Sequence, residues 1–133
     1  MSEESVNRPL IFLVEEDNDT RPLLKNNLTR YGYRVSLALD AEDAVQRLSG
    51  GRVAADLILI DFVGKPAGEV LRVGRGMREE AGYDGRTPLV VMAEQYDADV
   101  EGTDSNVGGN DWITYLADHE QLENLLARLI STT

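Results

Sequence analysis

The chain has 133 residues, 42% of them apolar and 28% charged, which suits one domain with a single core. It contains no cysteine, which excludes disulfides and thiolate chemistry and fits a cytoplasmic protein. No apolar run approaches the ~20 residues needed to cross a bilayer. Thirteen basic residues against 24 acidic ones give a net charge of −11. Nucleic-acid phosphates would be repelled by such a surface, whereas a divalent cation or a basic protein partner would be drawn to it. Most of these acids need do no more than keep the protein soluble.

Residues 1–8 read as a polar, disordered tail rather than a signal peptide, and 9–131 as one domain. Leu10-Ile11-Phe12-Leu13-Val14 is a continuous apolar run, the pattern of a strand buried on both faces, and it ends in Glu15-Glu16-Asp17. Asn18 or Asp19 is placed to cap a helix with Pro22 in its first turn and with Leu24, Leu28 and Tyr31 at helical spacing; Gly32 stops it. Val35 and Leu37 alternate in a short strand, Arg34 to Leu39. Asp40 caps the next helix, with Ala41, Ala44, Val45 and Leu48 on one face and Gly50-Gly51 at its end.

Asp56-Leu57-Ile58-Leu59-Ile60-Asp61 is the most strongly apolar strand, and it too ends on a carboxylate. A helix follows from about Gly68 to Glu80 with Val70, Val73 and Met77 inward. Gly74 and Gly76 inside it each cost roughly 1 kcal/mol against alanine, so this helix is either weak or closely packed. Thr87-Pro88 opens the strand Leu89-Val90-Val91-Met92. The stretch from Glu94 to Asn110, anchored by little beyond Val100 and Val107, reads as a short, frayed helix in a mobile loop. Asp111 to Thr114 is the last strand. Asp118 with Gln121 forms a capping box, and Leu122, Leu125, Leu126 and Leu129 face the core from the closing helix.

Strand and helix alternate five times. The expected fold is α/β: a doubly wound, five-stranded parallel sheet with helices on both faces and the flavodoxin-like order 2-1-3-4-5. In that order the strands ending at Glu15, Glu16 and Asp61 are neighbours, and ligands bind at the carboxyl ends of such strands. An isolated strand-terminal Asp often only caps a turn, but three carboxylates at one crevice raise one another's pKa unless a cation neutralises them. Acids without His or Cys point to a hard ion, Mg²⁺ rather than zinc. His119, the one histidine, reads as a surface residue. Gly74-Arg75-Gly76 lies inside a helix and is no phosphate loop.

The segment Val14 to Arg21, the strand Asp56 to Asp61, Thr87-Pro88, and Gly108 to Thr114 occur in an order and spacing that resemble the receiver domains of two-component response regulators, from about Leu10 to Leu129. The resemblance implies a non-enzymatic signalling module of a phosphorelay, read out through a downstream protein partner. It also implies that Asp61 is the phosphoacceptor for a sensor histidine kinase or phosphotransfer protein. Glu15, Glu16, Asp61 and the Val63 carbonyl would then hold Mg²⁺, and no nucleic acid or membrane would be engaged. Three switch positions depart from the family or carry it weakly. Ala93 stands where members have Ser or Thr, and Tyr115-Leu116 where they have Lys-Pro. Trp112 takes the switch-aromatic place but equally suits a core aromatic. Pro66 and Gly68 are shifted by a residue from the usual loop spacing. Two alternatives follow: a pseudo-receiver that docks without phosphate, and a small metal-dependent phosphohydrolase using Asp61 as nucleophile. The latter needs an acid or base two residues on, where Val63 supplies none.

Overall fold

A computed structural model describes residues 8–49, 51 and 53–130, so residues 1–7 of the expected tail and Gly50 of the expected helix stop lie outside it. Three apolar runs form the centre of the sheet: β1 (Leu10–Glu15), β3 (Leu57–Asp61) and β4 (Leu89–Met92). β2 (Arg34–Ala38) pairs with β1 on one side. β1 to β4 run parallel, joined by α1 (Thr20–Arg30), α2 (Ala41–Leu48) and α3 (Ala67–Glu80).

The sheet departs from expectation at its far side. Among the described residues it has six strands, in the order β2-β1-β3-β4-β6-β5, and the last pair is antiparallel. The segment read as a frayed helix instead makes a single 3-10 turn at Ala98–Val100 and then the edge strand β5 (Asp104–Gly108), which folds back on β6 (Asp111–Thr114). The reason lies in the turn chemistry. Gly108 and Gly109 take φ of +128° and +54°, conformations that glycine adopts freely. The Asn106 side chain accepts from the Gly108 N–H and donates to the Gly109 carbonyl, which pins a bulged hairpin.

Alternate residues of each strand feed two cores, as the period of two requires. Phe12, Val14, Ile58, Ile60, Leu89 and Val91 pack under α2 and α3. Ile11, Leu13, Leu57, Leu59 and Val90 pack under α1 and the closing helix α4 (His119–Ile130), which contributes Leu122, Leu125 and Leu126. Gly74 settles the question left by the α3 sequence. A Cβ there would lie 2.8 Å from both Ile60 Cδ1 and Leu89 Cδ1, so glycine lets the helix close on β3 and β4. At Gly76 the space is open. Asp111, at the start of β6, is buried and held from α3 by Arg75 and Arg78 at 2.7 and 2.5 Å. Burial pushes its carboxyl up, but the bonds from Arg78 and Arg75 more than offset this and hold it below its ordinary pKa. No helix among the described residues is long and apolar enough to cross a membrane.

Candidate functional site

β1 and β3 pair so that Glu15 stands opposite Asp61 at the carboxyl edge of the sheet. Glu15 is fully buried and Asp61 half-buried, and their carboxyl groups share a hydrogen bond. Burial is the first cause pushing Glu15 up to about 8; the bond to Asp61 and the charge of Asp61 add to it. Asp61 is also raised, first by burial and then by the charges of Glu94, Asp17 and Glu16, while its bond to Glu15 works the other way. Burial thus favours the neutral form of Glu15, the deeper of the two carboxyls. The second oxygen of Glu15, Oε1, is buried with no hydrogen-bond partner among the described residues.

The neighbouring acids are tied to the backbone. Glu16 Oε1 accepts from the Val63 N–H at 2.8 Å, fastening the loop after β3 to the loop after β1. Asp17 accepts from both the N–H and the hydroxyl of Thr20, at 2.7 and 2.5 Å, and these bonds hold its pKa below the ordinary value. It thereby starts α1 in place of the expected Asn18 or Asp19; Asp19 makes no side-chain cap bond. Arg21 donates to the carbonyls of Glu15 and Glu16 at 2.8 and 3.2 Å and so fixes the path of the acidic loop from below.

Glu15, Asp17, Thr20 and Asp61 line a cleft of about 400 Å³ completed by Val63, Met92, Ala93, Glu94, Tyr96 and Leu116. Glu94 accepts from the Gly64 N–H at 3.3 Å and is a site acid that the sequence reading missed; its signal was a carboxylate two residues beyond β4. Ala93 presents a methyl group to the cleft, and its N–H is bonded to the Thr114 carbonyl. Tyr115 packs edge-on against Tyr96 at 5.4 Å, and the Tyr96 hydroxyl donates to the Leu116 carbonyl. An aromatic pair thus stands at the end of β6. Trp112 packs with the α1/α4 core, with the Arg128 guanidinium 5.4 Å from its ring centre and an indole N–H that is buried without a partner among the described residues.

Of the three acids expected to converge, Glu15 and Asp61 meet directly and Glu16 reaches the Val63 amide. Among the described residues no three His, Cys, Asp or Glu side chains form a group that could hold a metal ion as they stand. The donor chemistry nevertheless suits a hard cation. All the donors are oxygens, and the unpartnered Glu15 Oε1 is an atom such a cation would satisfy.

The fold and this acidic edge define a class of signalling domain, and comparison with known proteins gives the same class. A response regulator from Thermotoga maritima is 25% identical with a TM-score of 0.65, over 94% of this chain and 99% of that one. The receiver domain of a sensor histidine kinase from Pseudomonas aeruginosa, solved with magnesium in its active-site cleft, is 25% identical with a TM-score of 0.63, over 94% and 99%. A receiver protein from Sinorhizobium medicae has the same fold at 21% identity and a TM-score of 0.70, over 96% and 98%. Among curated proteins, the transcription factor prr1 of Schizosaccharomyces pombe is 32% identical over 108 residues, 81% of this chain. The chain spans about a sixth of that relative, 17% of its length. No family profile matches the sequence. The chain has the receiver fold, and the proteins it resembles are receiver domains of two-component response regulators.

Proposed function

We propose that this domain, taken as residues 9–131, is a cytoplasmic phosphorelay receiver. In this reading Asp61 accepts a phosphoryl group from a phosphohistidine of a sensor kinase or phosphotransfer protein, and a downstream protein reads the result. The observation that carries it is the register of Glu15 with Asp61 at the carboxyl edge of the sheet, inside an open acid-lined cleft. An Asp61 oxygen attacks phosphorus as the phosphorus–nitrogen bond breaks, and imidazole leaves with that bond's electrons. Without metal Glu15 keeps its proton, and it would release that proton on serving as a metal ligand. Arg21 and the Val63 N–H hold the two loops that flank the attacking oxygen. Glu15, Glu16, Asp61 and the Val63 carbonyl would hold Mg²⁺, which supplies cancellation of charge on the phosphoryl oxygens. The magnesium-bound relative from Pseudomonas aeruginosa supports that assignment. Nucleic acid stays outside the proposal because a net charge of −11 repels it.

Ala93 and Tyr115 support a second reading, docking that is indifferent to phosphate. Neither brings a hydroxyl or ammonium to the cleft, so a phosphorylated state gains few contacts that an unphosphorylated one lacks, and equal affinity for two conformations shifts neither. One experiment separates the two. Intact-mass measurement after incubation with acetyl phosphate and Mg²⁺ should show one added phosphoryl group, absent in Asp61→Asn. No added mass in the parent would remove the acceptor role. If the mass appears, beryllofluoride titrated against Trp112 fluorescence should give little change in the parent and a saturable one in Ala93→Thr/Tyr115→Lys. A large response in the parent would discard phosphate-indifferent docking.

A further inference from the structure

We propose that the outer edge of β5 takes an extended, lysine-rich segment of a partner protein by strand addition. Among the described residues β5 pairs only with β6, so its other side is an open sheet edge. The Tyr115 N–H bonds the Thr103 carbonyl and Ser105 lies opposite Ile113, so the period of two turns the main-chain groups of Asp104 and Asn106 outward. Natural edges are usually guarded by Lys, Pro or a covering element. Among the described residues its guards are the bulge at Asn106/Gly108 and Arg75, which donates to the Val107 carbonyl, both at the far end of the strand. The stretch Asp104 to Asn106 is left free.

Charge selects the occupant. No Lys or Arg occurs between Arg86 and Arg128, whereas nine acids do. At the near end of β5, a cleft of about 420 Å³ is lined by Asp104, Asp118 and Glu120. Asp104 Oδ1 accepts from Thr114 and Gln121, Asp118 accepts from the Gln121 N–H, and Arg128 stands 3.8 Å from Asp104. Glu120 is exposed and makes no ion pair among the described residues, so it is open to an incoming ammonium. A second copy of this chain does not fit, because it would set Asp104 and its acidic approach against themselves, with −11 on each partner. Main-chain bonds along the edge would give affinity and the cleft the preference for cations, the usual division in strand addition. Nothing in this depends on whether Asp61 carries phosphate.

The probe is an amidated peptide of alternating Lys and Val, titrated into the isotope-labelled full chain and followed by backbone amide resonances. Shifts and slowed amide exchange at Asp104 and Asn106 are expected at submillimolar peptide. Binding should weaken several-fold as salt is raised from about 0.01 to 0.1 M, over which the Debye length falls from ~30 to ~10 Å. Glu120→Lys, at an exposed position, should weaken it further. The fully N-methylated peptide, which keeps the charge and loses every donor, should not bind. Equal binding of that peptide or of its Glu-Val counterpart would overturn the proposal. So would shifts confined to the Asp61 cleft, or dimerisation of the free chain through β5 in sedimentation velocity.

Discussion

Replacing Glu15 by Gln isolates the energetic consequence of the buried carboxyl pair. Glu15 has no exposed surface, and its pKa stands at about 8 against an ordinary 4.5, with burial as the main cause and Asp61 next. A group raised in the folded state gives its full stability below the unfolded pKa and loses it as pH rises through the folded one. For Glu15 that window runs from about pH 4.5 to about 8. At ~1.36 kcal/mol per unit, the folded state has lost on the order of 3 kcal/mol by pH 7 relative to acid conditions. Gln keeps the size and the donor toward Asp61 but has no proton to lose. Urea unfolding of parent and Glu15→Gln should therefore agree near pH 4 and diverge above it, with the variant more stable by roughly that amount at pH 7. The carboxylates with lowered pKa, Asp17, Asp43, Asp84 and Asp111, lose their contribution as pH falls, but they do so in both proteins and cancel. Parallel stability curves across pH 5 to 8 would refute the proton-holding role of Glu15.

Two further outcomes follow from α3. Gly74→Ala drives a methyl into Ile60 and Leu89 and should destabilise by about 1–3 kcal/mol, whereas Gly76→Ala meets nothing and should stabilise by about 0.5–1 kcal/mol; denaturant midpoints of the pair must move in opposite directions. Arg78→Met strips one of two cations from the buried Asp111 and should cost about 2–3 kcal/mol, partly recovered in Arg78→Met/Asp111→Asn, which a double-mutant cycle measures.

The legible parts of this chain are those where one local signal decides. β1, β3 and β4 are unbroken apolar runs and can only be buried on both faces, and Asp40 caps α2 as its position suggests, accepting from the Asp43 N–H at 2.8 Å. The acids that end β1 and β3 are enough to put Glu15, Glu16 and Asp61 at one edge of the sheet. The missed parts depend on partners far along the chain. Asp111 reads as a strand-opening polar residue until Arg75 and Arg78 arrive from α3. Glu94 reads as loop until its contact with Gly64 brings it to the cleft. β5 was missed for a different reason. Asp104 to Gly108 has one apolar residue, Val107, so periodicity was silent, and only the Gly108-Gly109 turn and the capping Asn106 announced a hairpin.

That hairpin also changes how the sheet can assemble in time. Each parallel pairing among β1 to β4 must wait for at least one crossover helix to form between its strands, and such non-local closure is slow. β5 and β6 are separated only by Gly109 and Asn110, so they can zip locally on the ~1–10 μs scale of isolated hairpins. Two strands paired this way form a marginal unit until they dock on a hydrophobic surface. The hairpin from Asp104 to Thr114 can therefore form by itself up to one step, the docking of β6 against β4, at which Asp111 meets Arg75 and Arg78.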